Sequence, residues 1–344
     1  MSHKKDILSL TLTQLGAQLV NWQIPRERSS EVWRWIYQRG EMDFHEMDDL
    51  PGNLRHRLLT EMYVPKPRLL RRQEAPDGWT RKDLLQFEDG ERVETVLLRY
   101  GPRRSVCLST QVGCASGCKF CATGQMGFVR DLTCSEIVGQ ALHFQRDLLS
   151  RGKRLTNAVL MGMGEPLANY DASIAAVRRL IDQRAFGIPP SRVTLSTVGI
   201  PEMIERLAED DLGIQLAISL HAATDNLRDR LIPINRKYPL NETFAATERY
   251  AEVTGRTVMF EWVLIDGMND TIEHARTLVD RLSGIPAHVN LIHLNASAAK
   301  LRPSDPAAVE TFIDILDLAG VPHTMRQQHG HKIRAGCGQL CSRT

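Results

Sequence analysis

Apolar positions in the first part of the chain recur at helical spacing. Leu8, Leu12, Leu15, Leu19 and Trp22 share one helical face, Ser29 is placed to cap a second helix through Val32, Trp33, Ile36 and Tyr37, and Leu50-Pro51 opens a third helical segment. The first ninety or so residues therefore read as a small helical module followed by extended segments. Trp33, Trp35 and Tyr37 fit a small core better than a base-stacking surface. From about Val93 the pattern changes. Short apolar runs at 93–98, 157–161, 192–197, 214–220, 258–265 and 289–294 predict strands. Amphipathic stretches at 135–149, 172–183, 201–208, 242–253, 272–282 and 306–318 predict helices between them. Such alternation implies an α/β fold with a parallel sheet, and about six units would make a partial (βα)6 barrel whose active residues lie at the carboxyl ends of the strands. The expected division is an accessory unit over 1–92 and a core over 93–344.

Composition narrows the setting. A chain of 344 residues with 42% hydrophobic content can bury a large domain and a small one. No apolar stretch approaches the eighteen residues of a membrane span, and Met1 to Leu10 lacks the long apolar run of a secretory signal, so a soluble cytoplasmic protein is expected. The net charge of +2 is too small to mark a nucleic-acid binder by itself. Basic clusters do occur at Lys66, Arg68, Arg71 and Arg72, at Arg103 and Arg104, and at Arg228, Arg230, Arg236 and Lys237. Singly they read as solvated surface; together they can line one phosphate-binding face.

Cysteine usage adds chemistry. Four of the seven cysteines crowd between Cys107 and Cys121, which suits reactive thiols or metal ligands better than structural disulfides. Cys114, Cys118 and Cys121 form a Cys-x3-Cys-x2-Cys run. Three thiolates can hold three irons of a four-iron cluster and leave the fourth iron open to a small molecule. Zinc usually takes a fourth Cys or His at short spacing, and the next candidates, Cys134 and His143, are distant. Three expected strands then end in small or polar residues: Gly162-Met163-Gly164-Glu165-Pro166-Leu167, Ser196-Thr197, and Ser219-Leu220-His221. Asn295 follows a later one. Glycines admit a ligand to the backbone, and Glu165 can accept hydrogen bonds from an ammonium group. His221 alone fits a structural role as well as a ligand contact.

The segment from Cys107 to Gln140, GMGEPL, RVTLSTVG, LAISLHAATDNLRDRLIPINRKYP and the terminal CGQL resemble the RlmN/Cfr family of radical S-adenosylmethionine (SAM) enzymes, in the family's order and over nearly the whole chain. The resemblance implies a radical SAM barrel with a small helical N-terminal domain. It implies Cys114, Cys118 and Cys121 as ligands of one 4Fe-4S cluster, and Gly164, Glu165, Ser196, Ser219, Leu220, His221 and Asn295 as SAM contacts. Cys337 matches the cysteine that is methylated, Cys107 the resolving cysteine, and Glu94 a glutamate assigned as proton acceptor. The implied product is 2-methyladenine in 23S rRNA at the peptidyl-transferase centre and in tRNA beside the anticodon, with a flavodoxin or ferredoxin as electron donor and a monomeric enzyme.

An adenine ring carbon bonded to hydrogen is electron-poor, so polar methyl transfer has no electron pair to attack. The family route spends two SAM molecules per turnover: one methylates Cys337, and the other, cleaved reductively, removes a hydrogen from the new methyl group. The methylene radical adds to adenine, and Cys107 resolves the protein–RNA adduct by a disulfide with Cys337. Arg103 and Arg104 are placed to lower the Cys107 pKa. Two alternatives stay open: Cfr-like methylation at C8, and a non-catalytic RNA-binding protein with zinc in the cysteine loop. The chain departs from the family at Leu294-Asn295-Ala296-Ser297, which lacks the usual Asn-Pro, and at Lys332-Ile333-Arg334-Ala335-Gly336-Cys337, which lacks the usual acidic residues.

Overall fold

The computed structural model describes residues 4–295, 301–327 and 330–342; Ala296 and Ser297 of the divergent segment lie outside them. Ten strands form one sheet, laid side by side in chain order. They are β1 (Arg68–Glu74), β2 (Thr80–Gln86), β3 (Arg92–Tyr100), β4 (Arg103–Cys107), β5 (Asn157–Leu160), β6 (Val193–Thr197), β7 (Gln215–Ser219), β8 (Val258–Leu264), β9 (Ala287–His293) and β10 (His323–Arg326). β1 to β4 pair antiparallel, and β4 to β10 pair parallel.

Each parallel strand up to β9 is followed by a covering helix: Cys134–Leu149, Tyr170–Ile181, Pro201–Asp210, Leu240–Thr254, Ile272–Leu282 and Pro306–Leu318. Six strand–helix units and a closing seventh strand make the expected α/β partial barrel. One detail is corrected. The run at 93–98 belongs to β3, which is antiparallel, and the first parallel strand is β4. β4 opens on Arg103-Arg104 and β10 reads His-Thr-Met-Arg, so neither carries the apolar run that marks a buried strand.

The N-terminal helices run Leu12–Asn21, Ser29–Tyr37 and Gly52–Glu61. Thr11 caps the first in a reciprocal box with Gln14. Ser29 is not a cap: it lies inside the second helix, and its hydroxyl donates to the Arg26 carbonyl at 2.7 Å. Trp33 and Tyr37 are buried as a core pair, with ring centroids 4.9 Å apart. The buried Arg179 on the helix after β5 joins this module to the barrel, donating to Tyr37 Oη at 2.9 Å and to the Leu10 carbonyl at 2.8 Å. Its guanidinium carbon stands 4.1 Å from the centre of the Trp33 ring. The sheet runs through the expected division at 92/93, since β1 and β2 pair onto β3. Among the described residues no helix is long and apolar enough to cross a membrane.

Candidate active site

After β4 the chain forms a short antiparallel pair, Gln111–Gly113 with Phe128–Asp131, which closes the base of the cysteine loop. The Cys114 amide donates to the Gly127 carbonyl at 3.0 Å and finishes that closure. The three thiols face one cavity at the carboxyl ends of the parallel strands. Burial pushes Cys114 up to about 11 and Cys118 well above the usual thiol range, and Cys121 is raised for the same reason. Buried thiols stay neutral unless a cation compensates the thiolate.

Opposite lies the Gly162–Glu165 turn. Gly164 has φ +102°, and a Cβ there would stand 2.6 Å from Gln111 Cβ, so only glycine lets the turn pack on the strand below. The Gln111 side chain then accepts the Glu165 amide at 2.8 Å. Glu165 is buried, with Oε1 accepting the Leu167 amide at 3.0 Å and Oε2 the Val198 amide at 2.8 Å. Burial raises its pKa to about 7. On adjacent strands the Ser196 and Ser219 hydroxyls lie 3.2 Å apart. His221, at φ +56°, takes the Val263 amide on Nδ1 at 2.9 Å and meets the edge of Phe120. Its pKa is lowered to about 3 by burial and then by Arg228, so the ring stays neutral while lining the cavity.

The wall is completed by the terminal loop. Ala122 donates its amide to the Gly338 carbonyl at 2.7 Å, and the Thr123 hydroxyl donates to the Leu340 carbonyl at 2.7 Å. Those two residues directly follow Cys121. Asn295 Nδ2 donates to the Cys337 carbonyl at 3.2 Å, and a Cβ on Gly336 would come within 2.6 Å of that same nitrogen. Cys337 thus faces the cavity that the three clustered cysteines line.

Three closely spaced cysteines and a fourth, exposed thiol on one cavity suit a reaction centre better than a closed metal site. Residues 108–279 match the Radical SAM superfamily, and residues 5–64 match the ribosomal RNA large subunit methyltransferase N-terminal domain. The chain is 45% identical to dual-specificity RNA methyltransferase RlmN 1 of Myxococcus xanthus, over 97% of this chain and 94% of that protein. It is 48% identical to the probable dual-specificity RNA methyltransferase RlmN of Moorella thermoacetica, over 99% and 98%. A crystal structure of a radical SAM methyltransferase from Sphaerobacter thermophilus superposes with TM-score 0.94 at 42% identity, covering 98% of this chain and 99% of that one. The chain belongs to the RlmN family of radical SAM proteins.

The residues present suit the RlmN family's cluster. Among the described residues no three Cys, His, Asp or Glu side chains converge on a point for one metal ion. A cubane asks for something else, one thiolate at each of three separate iron corners, which is what a short loop with three spaced thiols offers. Gly164, Glu165, Ser196, Ser219, His221 and Asn295 all line the cavity beside that loop. Leu220 does not: it is fully buried, and its carbonyl accepts from Arg228 Nε at 3.1 Å.

Several other expectations change. None of the seven cysteines is in a disulfide, so the Cys107–Cys337 bond anticipated from the family is absent. Burial, then Cys337, raises Cys107 to about 12, and the cation opposing this is Arg326, not Arg103 or Arg104. Arg228 is no surface charge. It is fully buried and donates to the carbonyls of Val198, Ser219 and Leu220 and to Asn235 Oδ1, with burial bringing its pKa down to about 10. Glu94 is buried in an ion pair with Lys82 at 2.9 Å.

The sequence reading missed Glu261 and Arg326, both on the cavity wall. Glu261 Oε1 accepts from Asn290 at 2.9 Å, and Oε2 lies 3.6 Å from Arg326. A glutamate amid the apolar run of β8 was a readable signal. Arg326 had none, because its strand was itself unreadable.

Proposed function

We propose that the protein is a dual-specificity RNA methyltransferase that places a methyl group on C2 of adenine in 23S rRNA and in tRNA. One observation carries this reading: the loop that holds Cys337 is hydrogen-bonded to Ala122 and Thr123, the residues directly after Cys121. A thiol fixed beside a three-cysteine cluster loop serves electron transfer in no obvious way, whereas a methyl carrier must sit there. When bound, the reduced cluster on Cys114, Cys118 and Cys121 and its SAM supply an electron and a carbon radical able to take a hydrogen atom.

The chain's own residues do the rest. Glu165, as a carboxylate, receives the SAM ammonium; Ser196 and Ser219 present hydroxyls to the ribose; Asn295 holds the Cys337 backbone while facing the nucleoside. Cys337 accepts a methyl group by displacement and later offers a hydrogen from it. Arg326 works against the raised pKa of Cys107, and its own pKa is raised, first of all by Cys337. Cys107 lies half-buried at the end of β4 as a second thiol within reach of the Arg326 charge. The RNA-binding accessory role belongs to residues 1–92, supported by the match of residues 5–64 to a ribosomal RNA methyltransferase domain. Two SAM molecules per turnover, a flavodoxin or ferredoxin donor, a monomeric state and a cytoplasmic location complete the proposal.

The test is product analysis with anaerobically reconstituted protein, unmodified rRNA fragment and tRNA. Digested nucleosides should contain 2-methyladenosine, separated by chromatography from its 8-methyl isomer. Cys337→Ala should yield neither while keeping its iron. Methylated RNA from that variant would overturn the assignment.

A further inference from the structure

Lys82 on β2 and Glu94 on β3 face each other diagonally on adjacent antiparallel strands, with Leu84 directly opposite Glu94. Both are nearly sealed from water, at 5% and 1% exposure. An isolated Lys–Glu pair in such a place is a poor way to stabilise a fold, because desolvation offsets the attraction unless the remaining donors and acceptors are also satisfied. Here they are satisfied by a distant part of the chain. Lys82 Nζ donates to the Arg334 carbonyl at 3.0 Å, and Glu94 Oε2 accepts the Cys341 amide at 2.9 Å. Those contacts fall three residues before and four residues after Cys337, one on each flank of the loop.

We infer that the buried Lys82–Glu94 pair is a clamp that grips both ends of the Cys337 loop and so aims the methyl-carrying thiol; the inference rests on the assignment of Cys337 above. Lys82 is a positioning residue. One Glu94 carboxylate oxygen is held by the ammonium and the other by a backbone amide. The backbone of the same residue reaches the SAM side. Its carbonyl accepts the Ser109 hydroxyl at 2.7 Å, that hydroxyl accepts the Met163 amide at 2.9 Å, and the Glu94 amide points at the Met163 sulfur. Position 94 therefore ties the Gly162–Gly164 turn and the Cys337 loop to one strand. The turn that opens at Arg334, a side-chain-bearing residue at φ +54°, needs such ties, because left-handed backbone there is not held by local preference alone.

One variant of the full-length, cluster-loaded protein tests this. Lys82→Met should retain iron and reductive cleavage of SAM, yet methylate Cys337 and RNA roughly a hundredfold more slowly, the order expected for a misaimed reacting group. Its ratio of 5′-deoxyadenosine to methylated adenine should rise accordingly, a shift that general destabilisation does not produce. Wild-type coupling in Lys82→Met overturns the clamp. Should that variant fail to fold, amide exchange on the wild-type holoprotein decides: the clamp requires a protected Cys341 amide, and rapid exchange there refutes it. Cys337→Ala reports separately on the assignment of Cys337, since it leaves the exchange result untouched.

Discussion

At the residue scale, two buried titratable groups on the cavity wall have been moved in ways that can be measured. His221 protonates near 3 in the folded chain and near 6.5 when unfolded. Between those values the unfolded chain binds more protons, so stability should fall as pH drops, by at most about 1.4 kcal/mol per pH unit. Urea midpoints from about pH 7 down to about pH 4 should show a slope that His221→Gln flattens. Glu165 has shifted the other way, to about 7. Its carboxylate is the form that attracts an ammonium, so SAM affinity should weaken as pH falls below about 7, and Glu165→Gln should bind weakly with no such dependence. Anaerobic calorimetry separates the two cases. The residues of the site were largely legible because they stand at strand ends in recognisable company. Arg326 and Lys82 were not, since each is a charged side chain whose meaning comes from a partner on another strand.

At the scale of elements, legibility followed the apolar period. The helices 272–282 and 306–318 were read at their observed limits, and the strands from β5 to β9 to within two residues, because each buries one continuous apolar face. β4 and β10 carry arginines and a histidine and depend on their neighbours for burial, so no window of sequence announces them. Arg228 shows how such elements are locked. Its guanidinium collects carbonyls from the ends of two adjacent strands and from the turn beyond them. Arg228→Ala strands those acceptors in a dry interior and should cost about 3 kcal/mol or more, read from equilibrium denaturation of the apoprotein.

For the whole molecule, the helical module and the barrel meet through Arg179. Its two donors and its ring contact bind one unit to the other at a buried point. Arg179→Met is expected to raise amide exchange across residues 12–37 severalfold, a local loosening, while leaving exchange in the β5–β9 strands unchanged; equal loosening of both would mean that the joint does not divide them. The overall charge gave no hint of an RNA partner, because 41 acidic residues nearly offset 43 basic ones.

The ten strands lie in chain order, so each pairs with its immediate predecessor and the sheet can grow outward one unit at a time. The ties of the terminal loop are of another kind, joining residues 217, 247 and 252 positions apart. Contacts of such separation form late, after the entropy of closing the intervening chain has been met. The order of folding thus acts as a safety catch. A barrel still incomplete has its cysteine loop but no thiol seated beside it, and Cys337 arrives only when the whole enclosure has closed.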